Sequence, residues 1–175
     1  MAITKKLLSI FAIAFLLMAF RQSPAQEMQK AKASNANAVE VVNRFFNEVT
    51  SNQHNVALLE ELLHPEFRSH HYPAPPGSDK AGFIAGIKGL LAAFPDVQVT
   101  IHDQFEKGDR VFTYFSWTGT HKGDFNGIAP TGKKVKVEGM DLWRVQGGQI
   151  RENWVVMDVM GLMMQLGVVP PPAAK

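Results

Sequence analysis

Three stretches of the 175-residue chain concentrate side chains able to do chemistry: LLHPEFRSHHYPAPPG (Leu62 to Gly77), GTHKGDFNGIAPTGKKV (Gly119 to Val135) and IRENWVVMDVMGLMMQLG (Ile150 to Gly167). In the third, the period-two alternation of a strand puts Glu152, Trp154 and Val156 on one face, and Asp158 continues that face if the strand lasts that far. With that face turned inward, Trp154 and the neighbouring methionines shield the Asp158 carboxylate from water, the setting in which a carboxylate serves as general base, and Glu152 adds like charge. Asp158 also directly precedes an apolar helical stretch, so it reads equally as that helix's N-cap. The two roles are compatible.

In the second stretch, alternation aligns His121 with Phe115 and Trp117, so an imidazole reaches an aromatic-lined cavity at a strand's end, where it can donate a hydrogen bond to a carbonyl oxygen gaining negative charge. The competing reading is a histidine held structurally or by solvent. His70 and His71 are adjacent, so on an extended chain only one of them faces inward. A metal site from His64, His70 or His71 with Asp158 is not expected, because the spacing matches none of the usual zinc patterns. The glycines of the second stretch lead into a strand rather than a helix, so they read as a loop with unusual backbone angles instead of a phosphate cradle. Lys133, Lys134 and Lys136 read as a solvated edge. Met157, Met160, Met163 and Met164 read as core or pocket wall.

Composition narrows the chemistry further. The chain has no Cys, which excludes disulfides, thiolate zinc sites and a Cys nucleophile. A composition 46% hydrophobic and 19% charged suits one globular domain. At the amino terminus Lys5 and Lys6 precede an apolar run from Leu7 to Phe20, and Ser23 and Ala25 frame a cut before Gln26: a secretory signal, too short in its apolar run for a stable membrane span. Its removal takes away Lys5, Lys6 and Arg21, and the formal charge of +2 becomes −1. A near-neutral mature chain offers no electrostatic reason for a nucleic-acid partner.

These residues need positioning elements. Val39, Val42, Phe45, Phe46 and Val49 recur at helical spacing and predict a first helix of about four turns. Leu58 to Leu63 mark a short second helix ended by His64-Pro65, and Tyr72 to Gly77 a loop. Ser78 or Asp79 caps a third helix, with Phe83 to Phe94 supplying its apolar face and Pro95 its end. From Val97 the period changes to two, and Val97, Val99, Ile101 and Phe105 share a face. Further strands are predicted over Arg110 to His121, Lys134 to Val145 and Gln149 to Met157, then a short helix from Val159 to Leu166. Helices first and hairpin-linked strands afterwards predict an α+β domain, a curved antiparallel sheet over three N-terminal helices. The organisation expected is a signal over 1–25, a flexible mature start over 26–37, one domain over 38–170 and a tail over 171–175.

The words AFPD (Ala93 to Asp96), GTH (Gly119 to His121), PTG (Pro130 to Gly132) and ENWVVMD followed by QLG, in this order, resemble the SnoaL-like polyketide cyclases, also called ester cyclases, of the nuclear transport factor 2-like superfamily. The resemblance spans about Val39 to Pro170. It implies a cone with a deep, mostly apolar pocket, frequent homodimers, and cofactor-independent acid/base ring closure of a small carbonyl compound, with no metal. It implies a catalytic role for Asp158, and pocket-facing places for His70, Trp117, His121 and Trp154. Glu152 joins them as a substrate-binding expectation, and His121 as the group that steadies an enolate oxygen. An exported small-molecule binding protein, or an isomerase or hydratase on the same scaffold, are the alternatives.

Overall fold

Asn37 opens the first helix: its side-chain oxygen accepts the Val39 N–H at 2.9 Å, supplying an acceptor that a helix start otherwise lacks. In the computed structural model, which describes residues 37–51, 53–70 and 78–170, helix α1 (Ala38–Arg44) continues as a π-helix over Phe45–Ser51. There the Thr50 hydroxyl donates to the Phe46 carbonyl at 2.8 Å. Val42, Phe45, Phe46 and Val49 are buried, as their spacing requires.

A 3-10 turn (Val56–Leu58) leads into α2 (Leu59–Leu62), which stops where His64-Pro65 demands. The next element is a strand that local sequence patterns do not predict: β1 (Leu63–Ser69) lies at the sheet edge, parallel to the last strand. Pro65 falls where that pairing is interrupted, between Leu63 and Arg68, so its missing N–H is not called upon. Helix α3 (Lys80–Ala93) is capped by Asp79, whose carboxylate accepts the Gly82 N–H at 2.9 Å.

Strands β2 (Gln98–Lys107), β3 (Arg110–Thr120), β4 (Lys134–Gln146) and β5 (Gln149–Met157) complete a five-stranded sheet in the order β1-β5-β4-β3-β2. Gly147 and Gly148 make the β4–β5 hairpin with φ of 59° and 77°, angles that suit glycine. The α+β class and the curved sheet are as expected; the sheet is unclosed, and the parallel β1 makes it mixed rather than wholly antiparallel.

The helices cover one face. Phe45 lies 4.9 Å from Trp143 and Phe46 lies 5.3 Å from Phe115, ring centre to ring centre, which fixes the inner face as that of Phe115, Trp117 and Trp143. A bulge at His102 shifts the register of β2, so Ile101 faces Phe115 across β3 while Phe105 faces Phe112 on the outer face. Phe105 is therefore 57% exposed, against the expected inner position.

Helix α4 (Val159–Leu166) buries Leu162 and Leu166 beside β4. Lys133 donates to the Leu166 carbonyl at 3.1 Å and so serves a helix end, while Lys133, Lys134 and Lys136 are all exposed, as expected. The expected signal, the mature start before Asn37 and the tail 171–175 lie outside the described residues. Among the described residues no helix is long and apolar enough to cross a membrane.

Candidate functional site

Glu152, Trp154 and Val156 do share a face of β5, but it is the outer one. Asn153 pairs with the inward-facing Trp143, so its neighbour Trp154 points away from the helices. His70 stacks on Trp154 with ring centres 4.7 Å apart, and the Arg110 guanidinium stands 5.7 Å from the indole centre. The Glu152 carboxylate accepts from Arg144 at 3.0 Å and lies 3.8 Å from His70 Nε2. His70 and Trp154 line an open depression of about 290 Å³ with Phe112, Met140, Leu142 and Val156. His70, Glu152 and Trp154 thus belong together, on the side opposite to that implied by a pocket under the helices.

Trp117 and His121 stand four residues apart on and just beyond β3, both buried on the inner face. Gly119 between them admits Phe94: a Cβ at 119 would lie 3.1 Å from the Phe94 Cβ. Phe94 stacks on His121 at 5.2 Å and meets Trp117 edge-on at 5.1 Å. Nδ1 of His121 accepts the Thr131 backbone N–H at 3.2 Å, so the neutral ring carries its proton on Nε2. That Nε2–H and the Trp117 indole N–H find no partner among the described residues.

Asp158 is exposed. Its carboxylate accepts the Gly161 N–H at 2.8 Å and caps α4, and the apolar side chains around it are themselves exposed: Met157 41%, Val159 48% and Met160 60%. The sheltered setting beside Trp154 is not what the chain adopts, because β5 ends at Met157 and the Trp154 face is the outer one, while the inner face at that end is filled. A Cβ at Gly139 would stand 2.8 Å from the Phe115 ring and 3.0 Å from Met157. Nor do Asp158 and His121 come together. The Asp158 N–H donates to the carbonyl of Glu138, which faces Ser116, and His121 lies five residues beyond, roughly 16 Å along the strand.

The carboxyl that the fold does bury is Asp141, which sequence reasoning missed. It is 4% exposed, with Oδ1 unpartnered among the described residues, and burial pushes it well above the usual carboxylate range. The signal was present in β4: Val135, Val137, Gly139, Asp141, Trp143 and Val145 alternate inward, and only one of them is charged. Asp141 pairs with Val155, three residues before Asp158, about 10 Å along β5. It is therefore closer than His121 to the Asp158 end of the sheet.

Among the described residues no three His, Asp or Glu side chains gather as a metal site. His64 accepts the Glu66 N–H at 3.0 Å, and His71 lies outside the described residues.

Residues 40–166 match the SnoaL-like polyketide cyclase family. The chain belongs to that family. No curated protein matches it. Solved structures do: a candidate SnoaL-like polyketide cyclase from Jannaschia sp. CCS1 (27% identity, TM-score 0.69, 76% of this chain and 93% of that one) is similar throughout the domain. So is a candidate polyketide cyclase from Acidithiobacillus ferrooxidans (32% identity, TM-score 0.67, 77% and 96%). IdmH, a candidate polyketide cyclase from Streptomyces antibioticus, matches at 28% identity with a TM-score of 0.65 over 75% and 99% of the two chains. The words that carried the resemblance have structural roles in this SnoaL-like domain. Asp96 of AFPD accepts both the N–H and the hydroxyl of Thr120 in GTH, each at 2.7 Å, which holds its carboxyl below the usual range and ties the start of β2 to the end of β3.

Proposed function

We propose that this SnoaL-like chain is an exported, cofactor-independent enzyme that closes a ring, by acid/base catalysis, in a small apolar carbonyl compound. The observation that carries the reading is an accessible carboxylate, Asp158, surrounded by exposed apolar side chains: Met157, Val159 and Met160 offer an apolar substrate a place to settle beside a base. Asp158 takes a proton from the carbon next to a carbonyl, and the resulting enolate carbon attacks a second carbonyl of the same molecule. The alkoxide formed receives the proton back from Asp158, so nothing is consumed and no cofactor is called for. Asp158→Asn keeps size and most capping ability. Retention of full turnover by that variant, on any substrate the wild type cyclises, would refute the assignment.

One observation favours a second reading, an exported binding protein without chemistry: the Asp158 carboxylate is already engaged as the α4 cap. Native mass spectrometry of co-purifying molecules separates the two. An unchanged ligand, bound equally by Asp158→Asn, supports binding alone. A ring-closed product supports the enzyme.

Two further parts of the reading concern setting. Export rests on Lys5, Lys6 and the apolar run after them, and is tested by the mass of the protein recovered outside the cytoplasm, where an intact Met1 would overturn it. Homodimerisation rests on the outer sheet face, where Met140 (51% exposed) and Val156 (75% exposed) adjoin Phe112, Leu142 and Trp154. Charges of both signs surround that patch, with Lys136 and Glu138 on β4 at one end and Arg110, Arg144 and Glu152 at the other. A two-fold axis can bring opposite signs together there, which suits a second copy of the chain.

A further inference from the structure

Two rows of side chains run side by side across the outer face of the sheet. Phe105, Phe112, Leu142 and Trp154 stand opposite one another from β2 to β5. His70, whose N–H donates to the Asn153 carbonyl, continues the row past β5 and stacks on Trp154. Two residues away on each strand, about 6.6 Å by strand geometry, the neighbouring row reads Lys107, Arg110, Arg144, Glu152 and Arg68. The one anion of that row is already engaged, since Glu152 accepts from Arg144 at 3.0 Å, and Arg144 donates as well to Asp109 at 2.9 Å. Arg110 differs. It is exposed, and no carboxylate pairs with it among the described residues. Its guanidinium stands 5.7 Å from the centre of the Trp154 ring, a face that attracts the cation but offers its N–H groups no oxygen. Beside it lies the depression of about 290 Å³ lined by His70, Phe112, Met140, Leu142, Trp154 and Val156, near the lower end of the sizes of small-molecule sites. An apolar floor with an unpaired, forked cation at its rim suits a ligand with a flat apolar body and one carboxylate.

The geometry points to a second binding site, on the outer sheet face, that takes a small aromatic carboxylate. Its ring system lies in the depression against Trp154, and its carboxylate accepts the N–H groups of Arg110. The spacing between the two rows matches a two-ring acid, whose far ring and carboxylate are separated by a similar span. The site is separate from Asp158, which caps α4 beyond the end of β5, and it does not depend on the cyclase reading. Met140 and Val156 belong both to the depression and to the patch assigned to a second copy. A bound ligand and a second copy therefore exclude each other there.

The test titrates 2-naphthoate into the full mature chain, labelled at its tryptophan indole nitrogens and dilute enough to sediment as a monomer. Three Trp give three indole N–H resonances: Trp117 and Trp143 inside, Trp154 outside. The Trp154 resonance should shift saturably while the other two stay in place. By calorimetry, affinity should fall about fivefold in Arg110→Gln and at least tenfold in Trp154→Leu, and recover in part in Arg110→Lys. The uncharged analogue 2-naphthamide should bind the wild type about as weakly as 2-naphthoate binds Arg110→Gln, and added salt should weaken only the acid. Arg110 is exposed, so its variants read the site even if Trp154→Leu does not fold. Equal affinity of wild type and Arg110→Gln, equal binding of acid and amide, shifts at Trp117 or Trp143 in place of Trp154, or no saturable binding would each overturn the inference. Asp158→Asn should bind 2-naphthoate like the wild type, so failure of this site and failure of the cyclase reading are told apart. At concentrations where two copies associate, saturating 2-naphthoate should release monomers; a dimer that persists with the site filled would overturn the exclusion.

Discussion

The Asp158 carboxylate lies directly against Gly161, accepting its N–H at 2.8 Å and occupying the space a side chain at 161 would need. The pairing ties the last strand to α4 and fixes where the carboxylate points. It also separates two variants that would otherwise be confused. Asp158→Ala removes the cap and should lower stability by about 1 kcal/mol, whereas Asp158→Asn should lose much less, because an amide oxygen still caps. Thermal unfolding of the two variants checks this; equal losses would mean that the cap contributes nothing.

Gly161→Ala makes the complementary prediction. A methyl group at 161 must displace the carboxylate, so the variant should lose the cap while keeping every charge. Stability should fall to about the level of Asp158→Ala, and the two changes combined should cost little more than either alone, as expected of residues acting as one unit. Additive losses in a double-mutant cycle would count against the coupling.

Asp141 gives a dependence on pH whose sign is opposite to that of Glu66, Asp96 and Asp109. Its carboxyl is raised by burial, so the folded chain keeps a proton that the unfolded chain releases above the ordinary value of 3.8. Stability relative to a non-titrating Asp141→Asn variant should therefore decline as pH rises through and beyond 3.8, and level off above the folded-state value. Glu66, Asp96 and Asp109, whose carboxyls are lowered by Arg151, Thr120 and Arg144 respectively, favour the folded state in the opposite direction, but they are common to both proteins and cancel in the difference. Chemical denaturation of both proteins across acid to neutral pH is the measurement. A flat difference would place Asp141 in contact with water.

The helices, the long strands and the hairpin were legible because each rests on local rules: the stripe from Val42 to Val49, the caps at Asp79 and Asp158, the glycine pair at 147 and 148. The parts that were not legible depend on partners distant in sequence. Strand β1 contains a proline and exists only because β5 runs beside it, and the bulge at His102 reverses which face Phe105 takes. The candidate site suffered the same ambiguity. Alternation grouped Glu152, Trp154 and Val156 on one face, but which face is inner is decided by where the Phe45 and Phe46 rings land, on Trp143 and Phe115. Asp141 could have been found from sequence by asking which member of the alternating series from Val135 to Val145 does not belong in an apolar interior.

The outer face carries the last prediction. Half-polar sheets exposed to water usually place polar side chains outward, yet here Phe105, Met140 and Val156 are exposed and Phe112, Leu142 and Trp154 lie among them. Replacing Val156 by Glu adds a charge at the most exposed of these positions without touching the inner face. If two copies bury this surface against each other, Val156→Glu and Met140→Lys should each shift the chain from dimer to monomer in analytical ultracentrifugation. A charge-reversing combination of the two, mixed as separate proteins, should partly restore association. The thermal stability of each monomer should fall little, since neither side chain belongs to the core. A wild type that sediments as a monomer at all concentrations would show that this face meets something other than a second copy.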